Sequence, residues 1–170
     1  VVALSTGTKG HGLSVGVGTA IAGKLDRADY RVFVLLGDGE LAEGSNWEAA
    51  MSASHYRLDN LTAIIDCNLL QITGRTRDVC CNEPLDAKFE AFGWEVRHVD
   101  GHSIEDLIEV LSYRPEGRPL AVIARTIKGR GVSFMEDVAK WHHGVPNDQE
   151  YQAALAELDA QAARLEEVAV

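Results

Sequence analysis

The stretch V32-F-V-L-L-G-D-G-E-L-A-E-G44 sets an apolar run against an aspartate held between two glycines. Val32–Leu36 contains no polar residue, so it reads as a buried strand, the kind that builds parallel sheets. Gly37-Asp38-Gly39 then falls at the carboxyl end of that strand, where open parallel sheets bind their ligands. Gly39 lets backbone come close to a ligand and offer an N–H, and Asp38 supplies a hard, anionic oxygen. A plain turn is the competing reading of the same residues.

The next apolar run weighs between them. Leu61–Ile65, within L61-T-A-I-I-D66, reads as a second strand that ends at Asp66 and is followed by C67-N-L-L70. Asn68 stands thirty residues after Asp38, the length of one βαβ unit. Asp38 and Asn68 therefore emerge side by side at one sheet edge. A carboxylate, an amide oxygen and a free loop carbonyl make half of an octahedral shell. Mg²⁺ or Ca²⁺ takes such oxygens, and Mg²⁺ completes its shell with phosphate oxygens and water. Turn and cap duty remains open for both residues at this point.

Further out, strand and helix patterns alternate. Trp94–Val99 and Leu120–Thr126 read as strands; Leu13–Leu25, Trp47–Tyr56, Pro84–Phe92 and Ser103–Leu111 read as helices, the last opened by the capping signal S103-I-E-D106. This order predicts an α/β fold, a doubly wound parallel sheet with helices on both faces. Gly12, Gly16 and Ala20 recur every four residues and leave one helix face nearly bare, open to plain helix–sheet packing or to close approach by another backbone. Asn147–Val168 reads as an amphipathic helix capped at Asn147 or Asp148. Residues 1–170 are thus read as a single domain, with a core over 1–146 and a C-terminal helix over 147–170. The chain has no initiator Met and opens on V1-V-A-L-S-T-G7 like a strand entering a loop, so a preceding segment is expected.

Composition excludes several classes. A net charge of −10 disfavours a nucleic-acid surface, which needs basic patches. No apolar run approaches the ~20 residues needed to span a bilayer. Cys67, Cys80 and Cys81 form no C-x-x-C and are odd in number, which points to a reducing cytoplasm. A nicotinamide site is not supported, because G10-H-G12 and G16-V-G18 both lack the third glycine of G-x-G-x-x-G.

The paired G-D-G and N motifs resemble the thiamine diphosphate signature, and the surrounding residues narrow the likeness to the transketolase family. The matching segments are S5-T-G-T-K-G-H-G12, G37-D-G-E-L-A-E-G-S-N-W-E-A49, D66-C-N-L-L-Q-I-T-G74, V99-D-G-H102, T126-I-K-G-R-G-V-S-F-M135 and W141-H-H-G-V-P146. The likeness runs over roughly residues 5–150, with the motifs in the family's order.

The resemblance implies a thiamine diphosphate-binding fold in its diphosphate-binding form. It assigns Mg²⁺, with Ca²⁺ as a possible substitute, to the side chains of Asp38 and Asn68 and to the carbonyl of Leu70. Gly39 would give its N–H to the diphosphate, Asn68 would serve the cofactor through the metal, and the loop of Gly7, Thr8, Lys9 and Gly10 would line its rings. His143 matches a family histidine that touches cofactor phosphate and substrate oxygens; His142 beside it is the alternative. Glu43 and Glu48 match glutamates of the subunit interface that link paired active sites, although a helix N-terminus favouring negative charge accounts for them equally. His11, His102 and Lys128 are either site-lining or structural.

The implied activity is transfer of a two-carbon ketol unit from a ketose or its phosphate to an aldose or its phosphate, with the cofactor as electron sink. The glutamate that activates the cofactor comes, in this family, from a separate pyrimidine-binding domain. A C-terminal transketolase subunit is therefore the expected partner, in a higher oligomer such as a heterotetramer, with neither nucleic acid nor membrane involved. The alternatives are a deoxyxylulose-phosphate synthase, a decarboxylating 2-oxo-acid component, or a non-catalytic interaction subunit. Lys9 stands where the commoner family loop has Leu, and Thr73 where many members have Asp; both bear on the substrate and neither on the cofactor.

Overall fold

In the computed structural model, which describes residues 2, 4, 5 and 9–168, the elements follow in chain order. They are α1 (Gly12–Leu25), β1 (Val32–Gly37), a short 3-10 turn (Gly39–Ala42), α2 (Gly44–His55), β2 (Leu61–Cys67), β3 (Leu70–Gln71), β4 (Gly74–Arg75), α3 (Thr76–Val79), α4 (Leu85–Ala91), β5 (Glu95–Asp100), α5 (Ile104–Ser112), β6 (Leu120–Arg125), a second 3-10 turn (Ala139–His142) and α6 (Asp148–Val168). The main sheet has the order β1-β2-β6-β5, with every pairing parallel. The four expected strands and five expected helices all form, with ends within one to three residues of the expected ones.

Two cores lie on opposite faces of the sheet. On one, Leu13 and Ala20 of α1, Ala50 and Ala53 of α2, and Leu85 and Phe89 of α4 pack on Val34, Leu36, Ile65 and Ile123. On the other, Val110 of α5 meets Val99, Leu120, Val122 and Ala124, with Leu107 and Leu111 beside it. The fold is therefore α/β with helices on both faces, as the alternation predicts.

Of the two readings of the bare face of α1, helix–sheet packing is the one observed. What approaches it is strand side chain rather than backbone: a Cβ at Gly16 would collide with Val34 Cγ2. The β-branched residues of β1 fill the space that small residues leave. A cluster of rings sets the α2–α4 side, with Phe89 5.4 Å from Trp47 and 5.3 Å from Trp94, and with the Trp94 indole N–H donating to the Ala50 carbonyl at 2.9 Å.

The expected caps are present. Ser103 Oγ accepts from the Asp106 N–H at 3.2 Å. Asn147 and Glu150 cap α6 reciprocally, each accepting the other's N–H at 2.9 Å. Contacts from Glu157 to Ser133 and from Gln161 to the Gly131 carbonyl hold α6 against the loop after β6. Helix α2 starts at Gly44, three residues before the apolar pattern, because extended Glu43 (φ −79°, ψ 123°) turns the chain in there.

The β3–β4 hairpin is not legible in the sequence. Its strands have two residues each, too short to show alternation, and its tip is Ile72-Thr73 rather than a glycine-containing pair. Among the described residues no helix is long and apolar enough to cross a membrane, and Cys67, Cys80 and Cys81 are all free.

Candidate functional site

Strand β1 delivers Gly37 opposite Asp66 of β2, so the chain leaves both strands at one point of the sheet edge. Asp38 continues the ladder for one step, donating its N–H to the Asp66 carbonyl at 3.0 Å. Its side chain is buried, 3% exposed, and both oxygens accept backbone N–H groups: Oδ1 from Gly39 at 2.8 Å and Oδ2 from Leu69 at 2.7 Å. Leu69 reaches it through a left-handed backbone, φ +62°, which is uncommon for a leucine.

Asp38 pairs with no basic side chain among the described residues. Burial raises its carboxyl above the usual value of 3.8, and the neighbouring charge of Asp66 pushes the same way against the two backbone N–H groups. A carboxylate that is buried and lacks a counter-charge is an incomplete site, and a hard cation completes it.

Two more residues of the expected site, Asn68 and Leu70, flank the Leu69 whose N–H binds Asp38. Asn68 is held by its amide, which donates to Asp66 Oδ1 at 3.3 Å, and its own Oδ1 accepts from the Leu70 N–H at 3.0 Å. The Thr126 hydroxyl also donates to Asp66 Oδ1, so β6 braces the group that orients Asn68. Leu70 lies opposite Arg75 in the hairpin, while its neighbour Leu69 takes the Thr76 N–H. The alternation of an antiparallel pair therefore turns the polar groups of Leu70 away from β4 and toward Asn68.

Gln71 lies over Gly39. A Cβ at Gly39 would come within 3.0 Å of Gln71 Cβ and Cγ, and Gln71 Oε1 is buried without a partner. An orphan acceptor beside a buried anion fits a site made to hold a hydrated cation. Cys67 is no rival nucleophile: burial pushes its thiol up to about 12, and Arg125 lies 2.9 Å from the sulfur.

The remaining expected residues divide into two groups. Lys9 and Gly10 form the turn before α1, and Gly7 and Thr8 lie outside the described residues. Glu43 and Glu48 are both exposed, at the start and on the first turns of α2. His142 and His143 sit edge to face at 4.6 Å, both exposed. Partial burial, followed by the positive charges of Lys128, His143 and Lys9, lowers His142 below the ordinary imidazole value. Four basic groups from three segments thus gather in a chain whose net charge is −10. His102 Nε2 accepts the Ile127 N–H at 2.8 Å and pins the loop that carries Lys128.

Five contributors carry no signal in the sequence: Gln71, Asp66, Thr126, Glu40 and Ser45. Asp66 lies one residue before the end of β2 and Thr126 one residue after the end of β6, and only the observed order β2-β6 makes them neighbours. Gln71 depends on a hairpin that no pattern announces. Glu40 and Ser45 act through the turn at Gly10.

Comparison with known proteins gives a consistent picture. Residues 1–163 match the family described as transketolase, thiamine diphosphate binding domain. The chain is 48% identical over 168 residues to an apulose-4-phosphate transketolase subunit of Phocaeicola vulgatus, covering 97% of this chain and 59% of that one. It is 52% identical over 158 residues to the corresponding apulose-4-phosphate transketolase subunit of Actinobacillus succinogenes, covering 92% and 57%. The chain therefore spans less than two thirds of the length of these curated relatives. Among solved structures, the transketolase of Campylobacter jejuni superposes with a TM-score of 0.75 at 26% identity, covering 96% of this chain and 31% of that one.

Proposed function

The chain belongs to the family of transketolase thiamine diphosphate-binding domains, and on that basis we propose that it is the diphosphate-binding part of a split transketolase. In this reading residues 1–170 work as one domain that moves a two-carbon ketol unit from a ketose phosphate to an aldose phosphate. It does so only with a C-terminal subunit that supplies the pyrimidine-binding domain and its glutamate, in a heterotetramer within the cytoplasm. The observation that carries the reading is Asp38, buried without counter-charge beside Asn68 and Leu70.

Asp38 and Asn68 would hold Mg²⁺ through side-chain oxygens and Leu70 through its carbonyl, while Gly39 would offer its N–H to the diphosphate. When bound, thiamine diphosphate supplies an electron sink for breaking the ketose C2–C3 bond. The protein's own part is to place that group. The turn of Lys9 and Gly10, with Gly7 and Thr8 before it, walls the ring side. Lys9 and Lys128 attract the anionic sugar, and His143 positions its oxygens. The lowered His142 is neutral at neutral pH, so it is suited to accept a hydrogen bond or a proton from a hydroxyl. Glu43 and Glu48 lie on the segment that would meet a second subunit.

Two outcomes are expected. Mixed with its C-terminal partner, thiamine diphosphate and Mg²⁺, the chain converts a ketose phosphate and an aldose into exchanged products, and neither protein does so alone. A folded, paired and cofactor-loaded complex that turns over no ketose would instead mark an interaction subunit.

The second outcome concerns pH. Because the folded-state value of Asp38 is raised, its ionisation weakens the cation-free fold as pH rises from 3.8 through the shifted value. A cation favours the ionised form. The rise in melting temperature caused by Mg²⁺ should therefore be absent in acid and grow toward neutral pH. Thermal melts with and without Mg²⁺ across that range check this, and a constant increment contradicts it.

A further inference from the structure

Gly10 is gripped from both sides by the segment that carries Asp38. Its N–H donates to Glu40 Oε1 at 2.8 Å, and its carbonyl accepts from Ser45 Oγ at 2.6 Å. The second oxygen of Glu40 accepts the N–H of Gly37 at 3.3 Å. One carboxylate thus bridges the last residue of β1 and the turn that precedes α1, thirty residues from Glu40 in the chain.

The fit at Gly10 admits no side chain. Its φ is +87°, and a Cβ there would stand 2.8 Å from Glu43 Cβ and 3.1 Å from Ser45 Oγ. Gly10 is buried, and Glu40 is the hydrogen-bond partner its N–H would lose in Glu40→Ala. The same contact sets Glu43, at the α2 N-terminus, directly against the turn.

We propose that Glu40 and Ser45 are positioning residues that lock the Lys9–Gly10 turn onto the cation segment before any cofactor arrives. The structural half of this inference stands on the hydrogen bonds alone; its consequence for cofactor affinity rests on the proposed function. The turn carries Lys9 into the basic group around His142 and borders the loop assigned to the cofactor rings. Asp38 and Gly39 form the other wall. Fixing one wall to the other before binding removes ordering that binding would otherwise have to supply. Neither Glu40 nor Ser45 needs to touch the cofactor for this. The charge of Glu40, which would repel a diphosphate, is already taken up by two backbone N–H groups.

Glu40→Ala, Glu40→Gln and Ser45→Ala in the chain paired with its C-terminal partner test the proposal. Without cofactor, amide exchange at Gly10 should quicken roughly tenfold or more in Glu40→Ala, while strand amides of β2 keep their protection. Glu40→Gln keeps an oxygen for Gly10 and should restore most of that protection. With saturating Mg²⁺, calorimetric titration should show thiamine diphosphate bound roughly ten- to thirtyfold more weakly by Glu40→Ala, and by less in Ser45→Ala and Glu40→Gln. Unchanged exchange at Gly10 in Glu40→Ala overturns the clamp, as does an equal loss in Glu40→Gln. A wild-type complex that binds no thiamine diphosphate would sink the functional reading instead, and the exchange result would still decide the clamp.

Discussion

Asp38→Ala is expected to abolish cation-dependent binding of thiamine diphosphate, raising the dissociation constant at least about a hundredfold, or roughly 2.8 kcal/mol. The size follows from position. Asp38 is the one charged oxygen donor among the three proposed ligands, and its burial keeps water from replacing it cheaply. The substitution also leaves the N–H groups of Gly39 and Leu69 without their acceptor, which loosens the loop that aims Asn68 and Leu70. It removes a buried, unpaired charge as well, so the two effects on the cation-free fold oppose each other. Melts without Mg²⁺ separate a lost ligand from a lost fold: a modest change is expected there, with a complete loss of the increment that cofactor and Mg²⁺ add.

Phe89→Ala should have the largest effect on stability, about 3–5 kcal/mol. Phe89 is fully buried, with Trp47 and Trp94 against it, and Trp94 is fixed by its bond to Ala50. Two indoles that are packed and hydrogen-bonded cannot collapse into the vacated volume, so the cavity persists. Against a total of roughly 5–15 kcal/mol, the loss leaves the domain marginal, with a melting temperature lowered by about 10 °C or more. Urea melts of the purified chain measure it directly. A loss near that of an exposed residue would mean that α4 does not pack on α2 and β5 as described.

Much of this fold is legible because its strands are apolar and its helices carry caps, although edge strand β1 is buried on one face only, with Phe33 and Leu35 exposed. Val32–Leu36 and Leu120–Ile123 show continuous apolar runs, and Ser103 and Asn147 advertise helix starts whose bonds are present. The common exit of β1 and β2, with Gly37 opposite Asp66, is legible for the same reason, since the two apolar runs lie one βαβ unit apart. What is hidden depends on contacts with no local pattern. The β3–β4 hairpin rests on positive φ at Leu69 and Ile72, which neither residue type announces. The brace of Thr126 on Asp66 needs the strand order, and the grip of Glu40 on Gly10 needs the three-dimensional approach of α1 to α2.

Both the Lys9 and Thr73 departures find a place in the structure. Lys9 contributes to the field around His142, where a leucine would not. Thr73 is an exposed tip residue of the β3–β4 hairpin, so the exchange of Asp for Thr falls on the rim and leaves Asn68 and Leu70 in place.

Whether Asp38, Asn68 and Leu70 hold a cation under the cofactor is decided by calorimetric titration of thiamine diphosphate into the wild-type chain co-expressed with its C-terminal partner. The titration is run once with Mg²⁺ and once with the metal chelated. Saturable binding near one cofactor per chain is expected with Mg²⁺, and none without it. Binding that is indifferent to Mg²⁺, or no binding by a folded and paired complex, would contradict a cation at these three residues.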